Sequence, residues 1–424
     1  MLANELRKML KAGELSKYSA LYSDIDRQTE RMLRAIDSFE ERFGEGRDIS
    51  LLSVPGRSEI MGNHTDHNGG KVLCGAIDRD IIAIASKNDE DAVNLVSEGF
   101  TPDRVLLADA TDAERFENYS SASLIAGLAG GFLKSGYKVG GFDAYTTTEV
   151  LKGSGISSSA AFEVMIGNIF NHLYNGGAVD NKEIAKLSQY AENVYFGKPS
   201  GLMDQMACAV GGFVYIDFAD KNSPVVEPVG FSLRSAGYSL CIVNTGGNHA
   251  DLNDDYASVP EEMRAVAREL SHEVLSGVEE ASIIAAIPAL RERVGDRAIL
   301  RALHFVRENK RVEKGKAALI SGDVSGFLRT VSESGRSSFE YLQNVYTNKL
   351  VTEQGLSIAL ALADGYLNPE ISAHRVHGGG FAGTIQVFLK TEELPSFVKY
   401  MDGALGEGAA MALNIRPVGA VKLF

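Results

Sequence analysis

The stretch Gly153-Ser154-Gly155-Ile156-Ser157-Ser158-Ser159-Ala160-Ala161 constrains this 424-residue chain more than any other. Its two glycines let a turn present consecutive backbone N–H groups with no Cβ in the way. Its three serines add hydroxyls that can donate to phosphate oxygens or ligate a magnesium ion. Residues 160–167 then read as the opening of a buried helix, whose positive N-terminal end points at the same anion. The alternative is a Gly/Ser turn that only caps a helix. The choice turns on whether the rest of the chain supplies the other parts of a phosphate site.

The length suggests two domains, each able to bury its own core. A formal charge of −14 argues against nucleic acid or an anionic membrane as partner, while leaving room for a local basic pocket. Cys74, Cys208 and Cys241 are scattered in apolar runs and read as small core residues of a protein in a reducing compartment. The first residues show no continuous apolar segment of the secretory kind, and no run approaches the ~18 apolar residues of a membrane span. The expectation is a cytoplasmic protein, a monomer or weak homo-oligomer.

Residues 1 to about 45 carry a helical pattern, with Met32, Leu33, Ile36 and Phe39 at helical spacing. A short strand at 51–54 enters Pro55-Gly56-Arg57, and a polar loop follows to Gly69-Gly70. Strands are expected at 72–77, 81–85, 92–96 and 141–148, with a Gly-rich helix at 124–133. Helices follow at roughly 161–175 and 181–196 and from near Gly201, then strands at 211–216 and 238–243. A long helical stretch covers about 260–365, broken at Gly295-Asp296 and Gly322-Asp323, and strands return at 384–389 and 418–423. A β-rich first half and helix-rich second half give an α+β fold. The change of pattern places a boundary near residue 215, with domains over 1–215 and 216–424.

No GxxxxGK[ST] and no strand-to-helix GxGxxG is present, which sets aside the common P-loop and dinucleotide folds. His64-Thr65-Asp66-His67 holds metal-ligand residue types but no matching partner group, so hydrogen bonding to a polyhydroxylated ligand suits it better. Asp66 can accept from adjacent hydroxyls, and Asn63 and His64 can donate or accept. Glu192 and Asp204 flank a turn at 197–201. One carboxylate with Ser159 would complete a magnesium site and the other could receive a hydroxyl proton, unless both are surface acids. His377-Gly378-Gly379-Gly380-Phe381-Ala382-Gly383 is by itself as readily a close-packing turn.

Together these pieces resemble the galactokinase family of the GHMP kinases. The resemblance rests on Gly56-Arg57 with His64-Thr65-Asp66 and Asn68-Gly69-Gly70, on residues 153–160, and on Ala191-Glu192 followed by Gly201-Leu202-Met203-Asp204-Gln205. Residues 378–383 and Glu308-Asn309-Lys310-Arg311-Val312 add to it. It implies the two-domain GHMP kinase fold, a ribosomal S5-like N-terminal domain joined to an α/β C-terminal domain, and an ATP-dependent sugar 1-kinase that uses Mg2+. By resemblance, Asp204 is the catalytic carboxylate beside the sugar C1 hydroxyl and Arg57 stabilises the developing charge. Ser159 and Glu192 match the magnesium ligands. Gly153, Ser154, Gly155, Ile156, Ser157, Ser158 and Ser159 match the triphosphate loop, and Ser97 aligns as a nucleotide contact. Asn63, His64, Asp66, Gly201 and Tyr256 occupy sugar-contacting positions.

The chain also departs from the family pattern. Asn63 stands where the family has Glu, near the far end of the sugar. The lost negative charge brings a hexuronate such as galacturonate into consideration beside galactose. Ser58-Glu59 replaces Val-Asn, His67 replaces Tyr, and Leu151-Lys152 stands where Pro and a small residue are usual. Other readings are a catalytically silent sugar sensor, disfavoured by the intact Ser157-Ser158-Ser159, and a GHMP kinase for mevalonate or homoserine, disfavoured by the 63–66 loop.

Overall fold

The computed structural model describes residues 1–150, 155–198, 200–220, 223–247 and 252–424. Two N-terminal helices, α1 (Ala3–Lys11) and α2 (Ile25–Phe43), open the chain. The Asp24 side chain caps α2 by accepting from the Arg27 N–H. Met32, Ile36 and Phe39 are buried on one face of α2, against Leu51, Ile82 and Ile84 of the sheet beneath. Helical spacing in the sequence thus becomes one covered face of the sheet.

The sheet begins with β1 (Ser50–Met61) and β2 (Lys71–Lys87). Both are longer than the sequence pattern implies. β1 runs through Pro55-Gly56, where register shifts between Pro55 and Arg57 and again between Glu59 and Met61 absorb the irregularity. β2 is one strand where two short ones were expected, because its acidic break is paired from outside: Asp78 accepts from the Asn414 backbone N–H and side-chain amide, and Asp80 accepts from two arginines. β3 (Ala92–Ser97), β4 (Asp103–Leu106), α3 (Ser121–Lys134) and β5 (Phe142–Thr148) follow. Next come α4 (Ser158–Tyr174), α5 (Asn181–Tyr190), a π-helical segment Ala191–Phe196, α6 (Met203–Val210), β6 (Phe213–Asp217) and β7 (Val225–Val229).

The second half adds β8 (Tyr238–Asn244), α7 (Asn253–Glu269), α8 (Glu280–Arg293), α9 (Asp296–Ser321) and α10 (Val324–Ser337). It closes with α11 (Gly355–Tyr366), β9 (Ala373–His377), β10 (Thr384–Lys390), α12 (Leu394–Leu405), β11 (Ala410–Leu413) and β12 (Val421–Lys422). The long helical stretch of the sequence reading is therefore also interrupted at 270–279 and 343–354. The strand expected at 418–423 shortens to β12.

One sheet has eight strands in the order β12-β1-β2-β5-β3-β4, with β6 on β2 and β7 on β6. β2 is its spine: Ile81–Lys87 pairs with β5, and Lys71–Gly75 with β6. A second, four-stranded sheet runs β11-β8-β10-β9. Residue 215, where the pattern shift put a boundary, lies inside β6. The passage from one sheet to the other falls between Val229 and Tyr238, and β12 returns to pair with β1. The mixed content is that of an α+β fold. Among the described residues no helix is long and apolar enough to cross a membrane.

A buried ionic cluster ties these parts together. Asp80 is fully buried and accepts from Arg31 of α2 at 2.6 Å, from Arg416 near the C-terminus at 3.3 Å and from the Tyr22 hydroxyl at 2.7 Å. Burial raises the Asp80 pKa, but Arg31 and Arg416 outweigh it, so the carboxyl lies below its ordinary range. Asp80→Asn leaves buried Arg416 without its counter-charge and Arg31 with only Glu149, 3.6 Å away. It is expected to cost about 3–5 kcal/mol of unfolding free energy in urea titration; a loss under ~1 kcal/mol would remove the cluster from this role.

Candidate active site

The site assembles where β1, the 62–70 loop, the starts of α4 and α6, the π-helical segment and the 378–383 glycine loop converge. Arg57, on β1 opposite Ala76, donates through Nε to Asp204 Oδ1 at 2.7 Å and through Nη2 to Asp204 Oδ2 at 2.9 Å. The planar fork meets the carboxylate in a bidentate pair. The third guanidinium nitrogen donates to the Gly155 carbonyl. Asp204 sits in the first turn of α6, where the helix end favours an acid. Ser157 precedes α4 with φ +61, the left-handed region, and its hydroxyl donates to Asp204 Oδ2. The phosphate-type turn and the carboxylate are therefore neighbours, joined through one serine and one arginine. Gly56 permits this approach: a Cβ there would lie 2.7 Å from the Ile156 carbonyl.

A cleft of about 220 Å³ opens beside the pair, lined among others by Arg57, Glu59, His64, Asp66, Glu192, Lys198 and Asp204. His64 has φ +58 and its Nε2 lies 2.8 Å from the Gly379 carbonyl. Burial lowers its pKa to about 4, so the ring is neutral at pH 7, with Nε2–H donating and Nδ1 left as an acceptor. Gly201 faces Asp66 closely enough that a Cβ would lie 2.6 Å from Asp66 Oδ2. Asn63 is fully buried. Its amide nitrogen donates to Glu59 Oε1 at 2.9 Å and to the Gly378 carbonyl at 2.7 Å, and its oxygen accepts from Asn344 Nδ2 at 2.7 Å.

The ionisable groups divide by environment. Burial raises the Asp204 pKa, but the charge and hydrogen bonds of Arg57 more than reverse that, and the carboxyl stays below its ordinary range. Glu192 accepts from Lys198 Nζ at 2.7 Å, from Gln205 Nε2 at 2.7 Å and from the Ser200 hydroxyl. Gln205 also donates to Glu163, whose pKa is driven well up by burial and then by Glu192. Burial raises Glu59 to about 7 against the pull of Arg375 and Arg57. His377, between the hydroxyls of Ser58 and Thr384, falls to about 3 through burial and the Arg57 charge.

A second cavity of about 350 Å³ lies on the other side of the α4 start. Ser97, Ser158, Ser159, Phe162, Tyr119 and Phe196 are among its lining residues. Apolar rings around serine hydroxyls at a helix N-terminus suit a flat base attached to an anion.

The structure brings Arg57, Asn63, His64, Asp66, Gly201, Glu192 and Asp204 to the first cleft, and Ser97, Ser158 and Ser159 to the second cavity, with Gly155, Ile156 and Ser157 between them. Gly153 and Ser154, with Leu151 and Lys152, lie outside the described residues. Tyr256 stands behind the glycine loop: its ring packs on Gly379 and its hydroxyl donates to the Gly380 carbonyl at 2.8 Å. Sequence reasoning missed Lys198 and Asn344, and it left Glu59 without a role. Lys198 was visible only as part of a turn, and Asn344 lies 281 residues from the amide it holds.

Similarity to known proteins agrees with this arrangement. Residues 37–87 match the galactokinase galactose-binding signature and residues 120–212 match the GHMP kinases N terminal domain. The galactokinase of Streptomyces coelicolor is 30% identical over 89% of this chain and 94% of its own length. That of Enterococcus faecalis is 28% identical over 92% and 99%. The crystal structure of Lactococcus lactis galactokinase complexed with galactose superposes with a TM-score of 0.76 over 91% of this chain and 98% of that one, at 24% identity. The fold and site thus define a GHMP kinase, an ATP-using enzyme that phosphorylates an alcohol. Within that class the chain belongs to the galactokinase family, and it acts on a sugar hydroxyl.

Two measurements probe this geometry. Gly201→Ala should push Asp66 aside and raise the sugar KM about tenfold with the ATP KM unchanged; an unaltered sugar KM would separate Asp66 from the sugar. Fully buried Glu308 holds the 62–70 loop by accepting from the Gly62 N–H at 3.0 Å and from Arg311 at 2.6 Å. Burial raises its pKa, but Arg311 and its neighbours bring it from 4.5 down to about 2. A lowered carboxyl pKa stabilises the fold above the unfolded value and loses that contribution as pH falls through the folded one. Glu308→Gln should therefore cost about 3 kcal/mol at neutral pH, and the gap from wild type should close between pH 4.5 and about 2. A gap independent of pH in thermal unfolding would refute the charge assignment.

Proposed function

We propose that this enzyme transfers the γ-phosphate of ATP to the anomeric hydroxyl of galactose. The observation that carries the reading is the bidentate Arg57–Asp204 pair, set in a polar cleft beside the serine turn that opens α4. The sugar belongs in that cleft, with Asp66 and His64 taking its hydroxyls, and the base of ATP belongs in the cavity lined by Ser97, Phe162 and Phe196. The domains divide as an N-terminal unit that lines the nucleotide cavity and most of the sugar cleft and a C-terminal unit that contributes the glycine loop, through Gly378 and Gly379, to the cleft.

In the transfer, a bond forms between the C1 oxygen and the γ-phosphorus while the bond to the bridging oxygen of ADP breaks, and the hydroxyl proton passes to Asp204. A carboxylate held ionised by Arg57 is a weak base, so its first task is to orient the hydroxyl and its second to take the proton late. A loose phosphoryl-transfer transition state suits this order, because it asks more for positioning and charge stabilisation than for early deprotonation. Arg57 stabilises charge gathering on the attacking oxygen and the transferred group. The N–H groups and hydroxyls at the start of α4 hold the phosphates.

Glu192 and the Ser159 hydroxyl are hard oxygen donors of the type Mg2+ accepts, with phosphate and water completing its shell. Glu192 lines the first cleft and Ser159 the adjoining cavity, so an ion between the two pockets would draw on both, and Lys198, which now donates to Glu192, would have to leave it. Bound there, Mg2+ would neutralise phosphate charge.

Charge pairing favours a neutral hexose over a hexuronate. Arg57 is taken by Asp204 and Lys198 by Glu192, while Glu59 and Asp66 face the same cleft. Among the described residues of the cleft, a C6 carboxylate would meet acids and no lysine or arginine that is not already paired. A coupled ADP-release assay over galactose, galacturonate, N-acetylgalactosamine, glucose and arabinose should show turnover led by galactose; a profile led by galacturonate reverses the charge argument. Asp204→Asn should lower kcat about 10²–10⁴-fold and leave ATP affinity within about threefold by calorimetry, whereas undiminished turnover would remove Asp204 from the reaction.

A further inference from the structure

Asn63 occupies the place where the sugar's far end is expected, yet its amide has nothing left to offer a ligand. Both N–H bonds are spent on Glu59 and the Gly378 carbonyl, and the oxygen is held by Asn344. Glu59 has the opposite balance. It lines the same cleft and is 6% exposed; Oε1 accepts from Asn63, and no donor among the described residues reaches Oε2. That oxygen is not one of the sealed, unpartnered polar atoms, so it remains reachable from the cleft. The cations nearby are already committed. Arg375 donates through Nε and Nη1 to the carbonyls of Val376 and Ile60, while its Nη2 lies 3.5 Å from the Ser338 hydroxyl and 3.7 Å from Glu59 Oε1, and Arg57 is bound to Asp204.

We infer that Glu59 is a specificity-determining residue that accepts a hydrogen bond from a sugar hydroxyl through Oε2, and that Asn63 is the positioning residue that fixes its orientation. The ligand chemistry is a neutral polyol presenting an O–H to a buried carboxyl oxygen. The inference deepens the reading above and rests on it. The acid of this subsite sits on β1 at position 59, four residues before the loop position where the chain carries an amide. The cleft therefore keeps a carboxylate even though position 63 has none.

The physical consequence is selective. A hydroxyl that fills the open oxygen of a buried carboxyl group is a strong discriminator, because an analogue lacking it leaves a buried polar atom unpaired. An analogue altered elsewhere on the ring is blind to Glu59. Substrate deoxygenation and mutation of Glu59 should consequently remove the same interaction, and their effects should fail to add.

The test uses the full chain, with ADP-release kinetics on galactose and its 2-, 3-, 4- and 6-deoxy analogues, for wild type, Glu59→Gln and Asn63→Asp. Wild type should lose at least about tenfold in kcat/KM on one deoxy analogue. Glu59→Gln, which presents an N–H where the acceptor stood, should raise the galactose KM at least about tenfold, leave the ATP KM unchanged, and lose discrimination at that one hydroxyl only. Asn63→Asp, which sets a second carboxylate against Glu59, should disturb the same hydroxyl and no other. Should Glu59→Gln turn galactose over with the wild-type deoxy profile intact, the inference is overturned while the kinase reading stands. A wild-type enzyme that turns over no hexose overturns the kinase reading instead, and this inference with it. If Glu59→Gln lowers kcat equally on every analogue with its sugar KM unchanged, Glu59 supports the fold and does not read the sugar.

Discussion

The pairing of Arg57 with Asp204 is the constraint around which the site is built. It joins a strand of the large sheet to the first turn of α6, and through Gly155 and Ser157 it draws in the turn that opens α4. Arg57 is buried and Asp204 half-buried at the cleft wall, and the guanidinium would be costly alone. At an effective dielectric of about 20, unit charges ~4 Å apart attract by about 4 kcal/mol, enough to offset much of the desolvation of one partner but not a loose geometry. The fork therefore has to be planar and close. That requirement explains why β1 runs irregularly past Pro55, and why Gly56 leaves room for the Ile156 carbonyl.

The same logic repeats across the molecule. Asp80 with Arg31 and Arg416 fastens the N-terminal helices and the C-terminal tail to β2, and Glu308 with Arg311 fastens α9 to the 62–70 loop. Each is a buried acid whose pKa burial raises and a guanidinium lowers. Glu163 and Glu59 are the contrast. Neither has a tight cationic partner, and their carboxyls move upward. The acids of this fold sort by their partners into structural anchors kept charged and groups close to the site whose proton is easily held.

What was legible in the sequence follows from range. Met32, Ile36 and Phe39 announce the buried face of α2 because helical spacing is a local property. The turn before α4 is legible because glycine and serine chemistry are local too. β2 was not legible as one strand, since the groups that satisfy Asp78 and Asp80 come from residues 22, 31, 414 and 416. The same holds at the site. Asp204 and Arg57 were named through resemblance, but nothing near position 63 reveals that Asn344 would exhaust its amide, or that Glu59 would thereby become the open acceptor. Local chemistry nominates a residue, and distant partners decide whether it is free to act.

Lys198 carries that point into the reaction. At rest its ammonium neutralises Glu192, with Gln205 and Ser200 completing the carboxylate's hydrogen bonds. Arg57 does the same for Asp204. Lys198 and Arg57 are thus both paired before any ligand enters, so among the described residues of the cleft a multiply charged nucleotide meets no idle lysine or arginine. It would bring its own counter-ion or draw Lys198 towards its phosphates, and only the second event frees Glu192 to coordinate. A neutral sugar asks for no such exchange, because Asp66, His64 and Glu59 already offer acceptors shaped by the glycine at 201 and the amide at 63. The two substrates therefore meet different physics in adjoining pockets: one rearranges charge, and the other fills hydrogen bonds that are waiting.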